Sequence, residues 1–197
     1  MSWASRELRK EARGYFFANN AFKVRGSDGA SSTAFLGKLG QEGRASIANL
    51  SLAGTRFWMY NSLFHVCHEL TSLCNLNIYM DIGHLIKFEL YTVTRTCVLQ
   101  NEPKFQDLPA LVIHRNIALF AQLPALQTLN IKCAVPGWGT YCDRPRRDRQ
   151  EKVCELVKGF VLEEVQKSLQ GRSVEVVVAI VSAGIALLKD GATGEYL

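Results

Sequence analysis

Leu73-Cys74-Asn75-Leu76-Asn77-Ile78 reads as Leu-x-x-Leu-x-Ile, and the same spacing returns upstream as Ile47-x-x-Leu50-x-Leu52 and downstream as Leu126-x-x-Leu129-x-Ile131. From Leu50 to Leu76 is 26 residues and from Leu76 to Leu129 is 53, close to one and two periods of a common repeat. In each copy the apolar residues fit a short buried strand, and two copies follow a helix-like stretch. The expectation is that Leu50, Leu76 and Leu129 stack side by side as rungs of one layer.

Working outward from these copies, helical and extended patterns alternate along the chain. Leu8, Ala12, Tyr15 and Phe16 recur at helical spacing over residues 5–18, with Arg6, Glu7, Arg9, Lys10 and Arg13 on the other side. Asn19-Asn20 breaks that helix, and 21–24 reads as a short strand. Ser31 or Ser32 can cap a second helix that carries Phe35, Leu36 and Leu39 inward and stops at Gly40, with a further turn at 42–46. A helix is expected over 57–71, an edge strand within 85–99 and a helix over 110–123 that Pro124 ends. Residues 136–149 read as the longest irregular stretch, followed by a long helix from about 149 to 169 with Val153, Val157, Phe160, Val161 and Val165 inward. Val174, Val176, Val177, Val178, Ile180 and Val181 form the β-branched run of a strand covered on both faces, and 184–197 a short final helix or tail.

Strands joined through helices return to a sheet in parallel. The fold class is therefore α/β: alternating helices and strands building an irregular leucine-rich-repeat-like parallel sheet with helices packed on it. The pattern lacks the Asn or Cys that ends a regular leucine-rich repeat, so a perfect horseshoe is not expected. A chain of 197 residues, 48% hydrophobic and 21% charged, can bury one core and is read as a single domain, 1–197.

The composition narrows function more by exclusion than by signature. Arg144, Arg146, Arg147, Arg149 and Lys152 supply five positive charges, but Asp143, Asp148 and Glu151 remove three, leaving a local +2 within a chain of net +5. A surface that tracks a phosphate backbone concentrates its charge, so this run is read as solvated and no nucleic-acid partner is assigned. Residues 174–188 are interrupted by Glu175 and fall short of the ~20 apolar residues that a spanning helix needs, so no membrane anchor is expected. Six cysteines without an apolar leader at the start point to reduced thiols and a cytoplasmic or nuclear setting.

His65, Cys67, His68 and Cys74 have zinc-ligand types, but on a helix His65 and His68 share a face that Cys67 does not, so no tetrahedral point forms and no metal is assigned. Cys142, beside Arg144, is a conceivable nucleophile, with His84 and His114 as bases that nothing in the spacing singles out. No phosphate loop, nucleophile elbow or dinucleotide turn is present, and Gly37 to Gly43 follows a helix rather than a strand. Glu163-Glu164 is assigned to solvation, and Trp58, Tyr91, Phe105 and Trp138 are read as core or cap aromatics. No catalytic residue, metal ligand or cofactor-binding residue is assigned, and no cofactor.

At Ser5-Arg6-Glu7-Leu8-Arg9-Lys10-Glu11-Ala12-Arg13-Gly14-Tyr15-Phe16-Phe17-Ala18-Asn19-Asn20-Ala21-Phe22 the chain resembles the segment that follows the F-box-like motif in a large group of filamentous-fungal proteins, mostly uncharacterised. There a helix of the type C-R-x-I-R-x-E-A-x-x-x-F-Y-x-x-N-x-F passes into a strand. Arg6, Arg9, Glu11, Ala12, Phe16, Asn19, Asn20 and Phe22 carry the likeness, which continues through Phe35 to Gly40 and from Arg44 to Leu52, so that it spans 1–54. The chain departs from that group in starting after the Leu-Pro-x-Glu helix pair that binds the ligase adaptor. The resemblance thus implies an intracellular substrate-recognition part of an F-box-like adaptor and carries no ligase recruitment with it. The function expected is a non-enzymatic protein-interaction scaffold whose partner is another protein, the alternative being a small cysteine- or histidine-dependent enzyme.

Overall fold

The repeat begins at a turn that the three copies share. Ile47, Leu73 and Leu126 each donate their backbone N–H to the carbonyl three residues earlier, on Arg44, Leu70 and Leu123, at 3.3, 3.2 and 3.3 Å. The pattern's first apolar residue therefore plugs the core from a turn, two residues ahead of its strand. Ala48 O then accepts from the amides of Cys74 and Asn75, and Cys74 O from those of Gln127 and Thr128, so each copy starts its strand against the copy before it.

The structure is a computed structural model that describes residues 3–25, 30–53, 68–81, 85, 115–135 and 144–182. Its elements are helix α1 (Trp3–Asn19), strand β1 (Ala21–Arg25), helix α2 (Ala30–Ser46), β2 (Asn49–Ala53), β3 (Asn75–Asp81), a 3-10 helix η1 (Arg115–Gln122), β4 (Thr128–Val135), helix α3 (Arg144–Ser168) and β5 (Glu175–Ser182). The five strands form one sheet in sequence order, β1-β2-β3-β4-β5, and every neighbouring pair is parallel. This is the α/β, repeat-like architecture that the spaced leucines imply.

Register fixes which residues share a row. Leu50 pairs with Leu76, Leu76 with Leu129 and Leu129 with Val176, while Leu52, Ile78, Ile131 and Val178 make the next row. Because strand side chains alternate between faces, these rows lie on one side, where they join a single buried cluster with Leu36 of α2, Phe120 of η1 and Val157, Val161 and Val165 of α3. The helices cover one face. Burying a leucine in such a cluster stabilises the fold by roughly 1.5–3 kcal/mol.

Several expectations are corrected. Residues 144–149, read as loop, are the first turns of α3. Pro145 is tolerated there because first-turn amides have no helical acceptor, and the flanking Arg and Gln are good helix formers despite their mixed charge surroundings. The helix expected over 110–123 is, at 115–122, a 3-10 helix. Pro124 disfavours α geometry at Leu123, whose amide instead meets Phe120 O at 3.4 Å. The cap expected at Ser31 or Ser32 is not there, since α2 begins at Ala30. The stop expected at Gly40 is present as a break inside α2, with φ 67° and ψ 169°, a region open to glycine alone.

Helix α1 departs furthest from its pattern. Leu8, Tyr15 and Phe16 of its apolar stripe are exposed, Tyr15 by 73%, and Phe17 enters the core instead. Phe17 packs on Phe22 with ring centroids 5.4 Å apart, and Phe22 on Phe35 at 5.9 Å, so the turn into β1 recruits the aromatic next to the stripe. Asn19 and Asn20 close the helix by donating from Nδ2 to the carbonyls of Tyr15 and Phe16, both at 2.8 Å. These asparagines satisfy carbonyls that a helix end leaves open.

The helix expected over 57–71 lies outside the described residues except for 68–71, which are not helical. Of the strand expected over 85–99 only Leu85 is described, and it is buried. The expected final segment, 184–197, also lies outside the described residues. Among the described residues no helix is long and apolar enough to cross a membrane.

Candidate functional site

On the face of the sheet opposite the helices, the alternating positions are polar or small. One row runs Ala21, Asn49, Asn75, Thr128, Glu175; the next Lys23, Ser51, Asn77, Asn130, Val177; the third Arg25, Ala53, Tyr79, Lys132, Ala179; the fourth Asp81, Ala134, Val181. Lys23, Asn77, Lys132, Glu175 and Val177 are exposed, Val177 by 46%. A valine left this open on a sheet face is uncovered surface rather than core.

Two asparagine pairs organise the face. Asn75 Nδ2 donates to Asn49 Oδ1 at 2.6 Å, and Asn130 Nδ2 donates to Asn77 Oδ1 at 2.7 Å. Strands about 4.8 Å apart bring equal rungs into reach of one amide-to-amide bond. Each bond uses one of the four hydrogen-bonding sites of an asparagine amide and holds the rest at a set angle. The face is thus a fixed array of donors and acceptors.

Two arginines hold the repeat junctions that position this array. Arg44 donates from Nε and Nη2 to Glu69 Oε2 at 2.9 and 2.6 Å, and from Nη1 to Leu36 O at 2.9 Å, tying α2 to the turn before β3. Arg172 donates from Nη1 to Ala121 O at 3.1 Å and from Nη2 to Pro124 O at 2.9 Å, closing the end of η1 from the turn before β5. Both use the planar fork that lysine lacks.

The residues singled out for chemistry fall differently. His68 is exposed, 3.9 Å from Glu69, and Cys74 is half-buried with its Sγ 3.3 Å from Ser72 O. His65 and Cys67 lie outside the described residues, as do His84, His114, Cys142, Trp58, Tyr91, Phe105 and Trp138. Among the described residues no group of three or more His, Cys, Asp or Glu side chains converges. Glu163 and Glu164 lie on the outer side of α3 and both meet Lys167 Nζ at 2.8 Å, their hydrogen bonds raising the pKa of that ammonium. A groove of about 500 Å³ between α1 and α2 is bridged by the exposed Lys10–Glu42 pair at 3.2 Å and lined by charges of both signs. That mixture selects no ligand chemistry.

The asparagine face was missed in the sequence, although its signal lies inside the repeat. In Leu-x-x-Leu-x-Leu the position before and the position after the central leucine point away from the core, and there the copies carry Asn49 and Ser51, Asn75 and Asn77, Thr128 and Asn130. Comparison with known protein families, curated proteins and solved structures finds no match to the chain.

Proposed function

We propose that the chain is a non-enzymatic interaction scaffold that presents the polar face of its sheet to another protein. The observation that carries this reading is the division of the sheet: one face lies under helices, and the other is an asparagine array in which Asn77 is exposed and Asn49, Asn75 and Asn130 are half-buried. Orienting four amides on a face open to solvent suits recognition, because their ordering is completed before a partner arrives. The resemblance of residues 1–54 to fungal F-box-like proteins agrees with a substrate-recognition role. Of the residues on which that likeness rests, Phe16, Asn19, Asn20, Phe22 and Arg44 have structural contacts in this fold.

Site-specific photo-crosslinking in the cells that make the protein tests it. A benzoylphenylalanine at Val177, on the open face, is expected to trap a discrete protein, and one at Glu163, on the outer side of α3, is not. Equal capture at the two positions, or none at Val177, would overturn the reading.

A further inference from the structure

Helix α1 carries an apolar strip that its own fold leaves uncovered. Leu8 is 68% exposed, Tyr15 73% and Phe16 52%, with Ala12 exposed between them, so positions 8, 12 and 15 and the adjoining 16 form one continuous strip. The strip faces away from α2. On the opposite side of the helix Phe17 is buried, Lys10 pairs with Glu42, and Gly14 lines the groove shared with α2. The three large side chains leave about 400 Å² open, the extent of patch that marks an interaction surface on a monomer.

Charge identifies what covers it. Each residue of a helix advances about 100°, which sets Glu7 and Glu11 along one edge of the strip and Arg6, Arg9 and Arg13 along the other, all five exposed. An anionic lipid surface attracts the arginines and repels the glutamates, and a partner of either single charge meets the same conflict. A second copy of α1 meets none. When two copies lie parallel about a two-fold axis along the helices, strip faces strip and the basic edge of each runs beside the acidic edge of the other, on both seams. Antiparallel pairing sets arginine against arginine and glutamate against glutamate instead.

We infer that the outer face of α1 is a self-association surface through which two copies of the chain pair as parallel helices, an isologous contact. It is separate from the polar face of the sheet and does not depend on the reading above. About 400 Å² per copy is half of the ~800 Å² that each partner of a standard interface buries, so the pair dissociates on dilution.

Sedimentation equilibrium of the whole protein over a concentration series tests it, with dimer expected at the high end and monomer at the low end. Tyr15→Asp, at a position open in the monomer, is expected to weaken the dimer at least about tenfold with an unchanged melting temperature in dilute solution. Arg9→Glu and Glu11→Arg each set like charges across both seams and are expected to weaken it by a similar factor, while an equimolar mixture of the two recovers a dimer. Ser5→Cys is expected to give a disulfide-linked dimer under mild oxidation that the wild type does not give, because parallel helices bring the two positions to one level. An antiparallel pair centred on Ala12 holds them about 20 Å apart.

A chain that stays monomeric throughout the series, whether or not α1 takes another protein or anionic vesicles, would overturn the inference. So would a dimer that none of Tyr15→Asp, Arg9→Glu and Glu11→Arg weakens, or the absence of a linked dimer with Ser5→Cys.

Discussion

Asn130 and Asn77, 53 residues apart in sequence, are joined by a side-chain amide bond of 2.7 Å across the open face of the sheet. The bond can form only if β3 and β4 are parallel and in the register that also places Leu129 beside Leu76. Polar face and apolar core therefore report on the same alignment from opposite sides.

The more protected of the two amide pairs, Asn75 with Asn49, gives the first stability prediction. Replacing either residue by alanine is expected to cost about 1 kcal/mol, and a double-mutant cycle should return a coupling of about 0.5–1 kcal/mol. Urea unfolding of the four proteins measures it, and additive losses would show that the pair contributes nothing.

Leu129 is fully buried between Leu76 and Val176 in the inner row. Leu129→Ala is expected to destabilise by about 2–5 kcal/mol through lost burial and the cavity left behind. The same change at exposed Leu8 should cost under about 0.5 kcal/mol. Denaturant midpoints at unchanged slope separate the two cases.

Gly40 holds α2 in two parts with a backbone that side chains resist. Space is not the obstacle, since an added Cβ would meet nothing within 4 Å. Gly40→Ala is therefore expected to cost about 1–3 kcal/mol from conformation alone, and Gly37→Ala, also in open space within the helix, to stabilise by up to about 1 kcal/mol. Thermal unfolding of the two variants should move in opposite directions.

Arg172 reaches two carbonyls with different nitrogens of its guanidinium. Arg172→Lys keeps the charge but cannot span both acceptors, so a loss of about 1–2 kcal/mol is expected. Amide exchange at the turn between η1 and β4 should rise in that variant, and unchanged exchange would mean that the fork does not hold the junction.

What the sequence disclosed follows from how the information is written in it. Buried strands repeat apolar residues in fixed register, so Leu50, Leu76 and Leu129 announced their row without any knowledge of their neighbours. The stripe of α1 misled because helical spacing says which residues share a face, not whether that face meets a core; Phe17 won the buried place through its packing on Phe22. At 144–149 the turn-forming composition that starts at Pro136-Gly137 suggested loop, yet arginine and glutamine favour helix and Pro145 is tolerated in a first turn. The asparagines were visible one by one, but their pairing is a property of register and emerges only when the strands are laid side by side.

Methyl-resolved NMR on leucine-labelled protein addresses the alignment most directly. The account predicts nuclear Overhauser contacts from the Leu76 methyls to those of both Leu50 and Leu129. Contacts from Leu76 to neither, or a set displaced to another row of the strands, would contradict it.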